Sequence, residues 1–131
     1  MEVIITQWAL DTYLDLKRRG VFDRDFYNDV IRPDVLLLKE FPNSPKFGNG
    51  KFWSQATMGS VVVSRGFKMK WHQVGNGQVQ LRLTICHQEC FFLCQGYVKL
   101  NSAQDRREIA KLKTRIQLIF QGQYTICGRL K

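Results

Sequence analysis

With 131 residues, the chain is long enough for one compact domain and too short for two ordinary ones. Hydrophobic residues make up 44%, which permits a sizeable core and excludes global disorder. Twenty Lys and Arg against eleven Asp and Glu give a net charge of +9, which attracts polyanions, nucleic acid being the commonest, and does not restrict the fold.

No run approaches the length of about 20 apolar residues that spans a bilayer. Val35-Leu36-Leu37-Leu38 is closed off by Lys39-Glu40. The N-terminus lacks the basic, apolar and small-residue regions of a signal peptide. Cys86, Cys90, Cys94 and Cys127 are too few and too bunched for a secreted disulfide scaffold. These features predict a soluble, cytoplasmic domain over residues 1–131, with no membrane partner.

In chain order, residues 2–5 read as a short β-branched strand. Thr6 is placed to cap a helix whose apolar residues Ala9, Leu10, Tyr13 and Leu14 recur at helical spacing. Lys17-Arg18-Arg19-Gly20 closes it, cations and then glycine suiting a helix C-terminus. A second helical stretch starts near Asp23, with Phe26, Tyr27, Val30 and Ile31 on one face. Pro33 either interrupts it or opens a further turn region ending at Phe41.

Residues 42–60 read as a loop-rich insertion punctuated by Pro42, Pro45, Gly48, Gly50 and Gly59, with Phe47, Phe52 and Trp53 packing against something. A three-stranded meander follows: residues 67–74, the turn Gly75-Asn76-Gly77, residues 78–86, a Gln88-Glu89 turn and residues 91–100. Ser102 and Asp105 resemble a capping box ahead of a long helix with Ile109, Leu112, Ile116 and Ile119 or Phe120 as its core stripe. Gly122 stops it, and residues 124–130 leave room for an edge strand. The expected fold class is α+β. A small antiparallel sheet, the meander plus the N-terminal strand, packs against N-terminal helices and a C-terminal helix.

Strand alternation then assigns faces. A three-residue turn pairs Trp71 with Leu81 and Met69 with Leu83, which matches the apolar faces. It also sets Lys70 opposite Arg82 and His72 opposite Gln80. A two-residue second turn brings Gln95 beside Arg82 and Tyr97 beside Gln80. One sheet face then holds Lys68, Lys70, His72, Arg82, Tyr97 and Lys99 without a carboxylate, and the other, packed on the helices, is the core. Like charges facing each other across strands are destabilising, so the basic face is either splayed into solvent or used on an anion.

The same segments carry a family likeness. "VIITQWALDTYLDLK" (Val3 to Lys17), "VQLRLTI" (Val79 to Ile85) and "GYVKLNSAQDRREIAKL" (Gly96 to Leu112) resemble the opening strand and helix, the central-strand arginine motif and the last-strand-to-helix passage of the RelE/HigB/ParE superfamily of toxin–antitoxin toxins. "YLDLKRRGVFDRDFYND" is similar to its YafO-like branch, and the Gly96 to Leu112 passage to the "FVK…REI" phrase of its HigB-like branch. The resemblance implies a RelE-like fold and a ribosome-dependent mRNA endonuclease silenced by a cognate antitoxin protein. Its implied chemistry is metal-independent attack of a ribose 2′-OH on the adjacent phosphate.

On that likeness Arg82 stabilises the phosphate, Lys70 and Lys68 support it, and Lys99 matches the lysine of the HigB-like phrase. His72 and Tyr97 supply acid and base, although each also reads as an ordinary strand residue. Arg106, Arg107 and Lys111 are placed to bind RNA or to form a solvated helix face. Two other functions stand beside the nuclease: a non-catalytic RNA- or ribosome-binding module, and a ParE-like topoisomerase inhibitor. No metal is expected, because Cys86 is assigned to the face opposite Cys90 and Cys94. No nucleotide or other small-molecule cofactor is expected, because Gly48-Asn49-Gly50-Lys51 lacks the full phosphate-loop pattern.

Overall fold

The computed structural model describes residues 1–131 as an α+β fold built on a six-stranded mixed sheet of order β2-β3-β4-β5-β1-β6. Strand β1 (Val3–Thr6) lies parallel to β5 (Cys90–Lys99) and antiparallel to the edge strand β6 (Ile126–Arg129). Strands β2 (Trp53–Met58), β3 (Val61–Val74), β4 (Val79–Gln88) and β5 form an antiparallel meander. The sheet is thus larger than the four strands expected. Two additions account for this, β6 at one edge and β2 inside the segment read as a loop.

Helix α1 (Gln7–Arg18) begins where Thr6 Oγ1 accepts the N–H of Ala9. The same hydroxyl donates to Leu93 O at 2.7 Å, so one buried side chain both caps the helix and ties β1 to β5. Asp23 caps α2 (Arg24–Phe26), which runs through a π turn (Tyr27–Ile31) into α3 (Arg32–Leu36) and a 3-10 turn (Leu37–Glu40). Pro33 falls in the first turn of α3, directly after the π turn in which the Arg32 N–H reaches back to Tyr27 O. Helix α4 (Ser102–Phe120) is capped by Asn101, whose side chain accepts the Gln104 N–H at 2.8 Å. The cap therefore sits one residue before the expected Ser102, and Asp105 is left free for another contact. No helix is long and apolar enough to cross a membrane.

Both faces of the sheet carry a core, which corrects the expectation of one basic and one apolar face. On one side Met69, Trp71, Leu81, Ile85 and Leu93 pack beneath α1 and the α2–α3 segment. On the other, Ile109, Leu112, Ile116 and Ile119 of α4 cover Ile4, Val63, Cys86, Phe92 and Cys94. Phe120, the alternative for the stripe, is exposed. Gly66 admits α4: a Cβ there would lie 3.1 Å from Leu112 Cδ2 and 3.3 Å from Ile116 Cδ1.

The 42–60 segment is ordered by its aromatics, as expected. Phe41 and Phe47 meet edge to face at 4.8 Å, and Trp53 stacks on Phe67 at 5.0 Å. Buried Asp34 fastens it, accepting Trp71 Nε1–H at 2.9 Å and pairing with Lys46 Nζ at 2.6 Å. Strand β2 shows no continuous alternation because its pairing with β3 breaks between Gln55 and Thr57. Opposite that break Arg65 adopts φ 65°, which also hid the first residues of β3.

The register between β3 and β4 is the expected one at Trp71–Leu81, Lys70–Arg82 and Met69–Leu83. It survives through two compensating differences. The turn holds four residues, 75–78, and beyond Val74–Val79 both His72 and Gln73 stand opposite Gln80, with Gln73 at φ 56°.

Between β4 and β5 the expected register is wrong by two residues. Glu89 alone, at φ 58°, makes the turn, so Gln88 pairs with Cys90, and a bulge between Thr84 and Ile85 adds another step. Arg82 therefore faces Tyr97, Thr84 faces Gln95, and Gln80 faces Lys99. A slip of two residues preserves the face of each side chain. Before the bulge the slip is one residue, which puts Cys86 among the same buried residues as Cys94, with Cys90 packed against them, and corrects the opposed assignment of Cys86.

Candidate functional site

Helix α4 covers only part of its sheet face. Beyond its N-terminus three adjacent strands bring basic side chains together: Lys68 and Lys70 from β3, Arg82 from β4, and Lys99 from β5. Arg82 lies at the centre, level with Lys70 on one side and Tyr97 on the other. It is only 5% exposed. Its Nη2 donates to Gln80 Oε1 at 2.7 Å, while Nε and Nη1 are buried with no hydrogen-bond partner. Leaving guanidinium N–H groups unsatisfied in the interior is costly. Burial lowers the pKa of Arg82, against the opposing pull of Tyr97 and Asp105.

The lysines share this environment. Burial lowers the pKa of Lys68, with Asp105 acting in the other direction and Arg82 and Lys99 adding to the fall. Lys70 is lowered by burial first and then by Lys68, Arg82 and Lys99. Its Nζ donates to Gly50 O at 2.5 Å and Ser54 Oγ at 2.9 Å. Lys99 is exposed at the end of β5.

Asp105 corrects the expectation of a face without a carboxylate. The first turn of α4 delivers it to the cluster, where Oδ1 accepts the Tyr97 hydroxyl at 2.6 Å and Oδ2 lies 4.0 Å from Lys68 Nζ. Tyr97 is buried, and burial followed by the Asp105 hydrogen bond pushes its phenol far above the ordinary value. Tyr97 therefore holds its proton at neutral pH and acts as a fixed donor. Asp105 could be read from the sequence only as a capping residue, since its reach to Tyr97 depends on how the 100–101 link folds back.

His72 forms no hydrogen bond with Arg82 but stands opposite Gln80, to which Arg82 bonds. It is exposed, and its Nε2 is 2.8 Å from Lys51 O, so it and Lys70 both hold the 50–51 turn. Arg106 and Arg107 follow Asp105 on the exposed side of α4 at the end bordering the cluster. Lys111 is more than a turn further and pairs with Glu108 at 2.9 Å. The structure thus brings Lys68, Lys70, Arg82, Tyr97 and Lys99 together and leaves His72 and Lys111 outside.

No group of three or more His, Cys, Asp or Glu side chains is arranged to hold a metal ion. The cysteines are free, and Cys86 and Cys94 are buried thiols whose pKa burial raises, that of Cys86 to about 11. What the cluster offers chemically is a partly desolvated anion site, with fixed N–H and ammonium donors and one carboxylate beside it. No family model, curated protein or solved structure matches this chain.

Proposed function

We propose that the protein is a toxin of the RelE/HigB kind that cleaves mRNA on the ribosome and is neutralised by a cognate antitoxin. The observation that carries this reading is Arg82, a buried guanidinium with Nε and Nη1 unpartnered among Lys68, Lys70 and Lys99. A phosphodiester laid on this cluster supplies the counter-charge that its cations lack. The element order supports it too: strand, helices, antiparallel meander with the arginine on an inner strand, then a long helix.

In this reaction the ribose O2′ loses its proton and attacks phosphorus, the P–O5′ bond breaks, and O5′ takes up a proton. The products are a 2′,3′-cyclic phosphate and a 5′-hydroxyl. Arg82 and Lys68 take the charge that builds on the pentacoordinate phosphate. Asp105, the carboxylate beside them, receives the 2′-OH proton, and Tyr97 orients it. Lys70 is a better acid than an ordinary lysine because of burial and three neighbouring cations, and it protonates O5′.

A second reading, an RNA-binding module without cleavage, is favoured by the engagement of Tyr97 with Asp105 and of His72 with Lys51 O. Induced expression in bacteria with mapping of mRNA 5′-ends separates the two. Cleavage predicts growth arrest with new 5′-hydroxyl ends inside coding regions, absent in Arg82→Ala. Arrest without new ends would replace the nuclease with ribosome blocking or topoisomerase inhibition. No arrest from folded protein would leave the binding module.

A further inference from the structure

Protein interiors are close-packed, with few voids larger than a water molecule. Between α1, the α2–α3 segment and the sheet there is nevertheless a cavity of about 200 Å³, with 14 of its 18 lining residues hydrophobic. It lies on the side of β4 that carries Leu81 and Leu83, opposite the basic cluster. The helices bridge over it without filling it.

The polar groups around this cavity are few and of one sign. Thr12 is already committed, donating to Ala9 O at 3.0 Å and accepting the Gly96 N–H at 2.9 Å. Tyr13 and Tyr27 stand together, their ring centroids 5.1 Å apart. The charged lining residues are Arg32 and Arg82, with no Asp or Glu among them. Arg82 directs its guanidinium to Gln80 on the other face. Arg32 is exposed and takes part in none of the ion pairs. Burial raises the pKa of the Tyr27 phenol, with Arg32 pulling the other way, so this hydroxyl keeps its proton for donation.

Apolar cavities stay dry and accept apolar guests, one of about 150 Å³ holding benzene. We propose that this cavity binds an amphiphilic monocarboxylate of about eight carbons, its tail against Leu81, Leu83 and Trp71 and its carboxylate on Arg32. The phenols of Tyr13 and Tyr27 complete the polar mouth. An amine of the same length would meet no charged lining residue other than cations there. The binding is independent of whether the basic cluster cleaves RNA.

The probe is octanoate, titrated calorimetrically into the full chain beside octan-1-ol and octylamine, with thermal melts in parallel. Octanoate is expected to bind at one site at least about tenfold tighter than octylamine and to raise Tm. Arg32→Gln should weaken octanoate by about tenfold and leave octan-1-ol unchanged, since only the carboxylate contact is removed. Leu83→Trp, which fills the cavity, should abolish binding of both. Equal affinity for octanoate and octylamine, unchanged octanoate affinity in Arg32→Gln, or no saturable binding would each overturn the assignment. Arg32 is on the surface, so that variant tests the proposal even where Leu83→Trp fails to fold.

Discussion

On the proposed function, Arg82 sets a conflict between stability and activity at one residue. Its side chain is desolvated yet leaves Nε and Nη1 without partners, so the folded protein bears a cost that an apolar replacement would relieve. Arg82→Leu is expected to raise stability by about 1–3 kcal/mol in urea denaturation while RNA cleavage falls by about 10²–10³-fold. A loss of stability instead would mean that the guanidinium is partnered within the fold. The cysteines give a second prediction at this scale. Exposed Cys127 should react first with a thiol reagent at pH 8, and buried Cys86 and Cys94 only on unfolding. Their folded-state pKa values are raised, so their contribution to stability is fully present below the ordinary 9.0. For Cys86 it is lost as pH rises through about 11. Alkaline melts of wild type and Cys86→Ala, compared from pH 8 to 11, should converge as pH rises.

Among the elements, the β1–α1 junction depends on Thr6. Its hydroxyl is completely buried, donating to Leu93 O at 2.7 Å and accepting from Ala9 N at 3.2 Å. Thr6→Ala removes a cap and leaves a buried carbonyl and N–H short of a partner. The expected loss is about 2 kcal/mol by chemical denaturation, and Thr6→Ser should recover most of it. The β3–β4 turn has a backbone requirement as well. Gly75 has φ 68°, and a Cβ there would lie 2.7 Å from Val21 O in the α1–α2 link. Gly75→Ala should therefore cost about 1–3 kcal/mol, against the few tenths expected at an open glycine. At the other end of the sheet, α4 is held by Ile109, Leu112, Ile116 and Ile119, and that packing places Asp105 at the cluster.

Taken whole, the molecule distributes its +9 charge unevenly. Lys68, Lys70, Arg82 and Lys99 converge on the exposed end of one sheet face, and Arg106 and Arg107 extend the cationic surface along α4. The proposed binding to RNA should weaken steeply with salt, because each neutralised phosphate releases counterions. Replacing exposed Lys99 with alanine is expected to reduce the slope of log K against log salt by about 1 without changing sequence preference. An unchanged slope would remove Lys99 from the footprint. Tyr97 is buried on Asp105, so it offers no face for base stacking, and the RNA recognition proposed for this end of the sheet would rest on phosphate contacts.

The α+β class, the cap at Thr6, the helix start near Asp23, the stripe of α4 and the Lys70–Arg82 pairing were legible in the chain because each follows from spacing of about two to four residues. Strand β2 and the first residues of β3 were not, because a bulge at Gln55–Thr57 and the positive φ of Arg65 break the period on which such a reading depends. Within the basic cluster, alternation placed Lys68, Arg82, Tyr97 and Lys99 on one face, and that survived since the β4–β5 slip was an even number of residues. Tertiary structure alone decided that α4 packs on that same face, that Arg82 is buried without full partners, and that Asp105 reaches Tyr97. Periodicity sets which side of an element a residue takes, whereas burial and a contact between separate elements exist only once the chain has closed on itself.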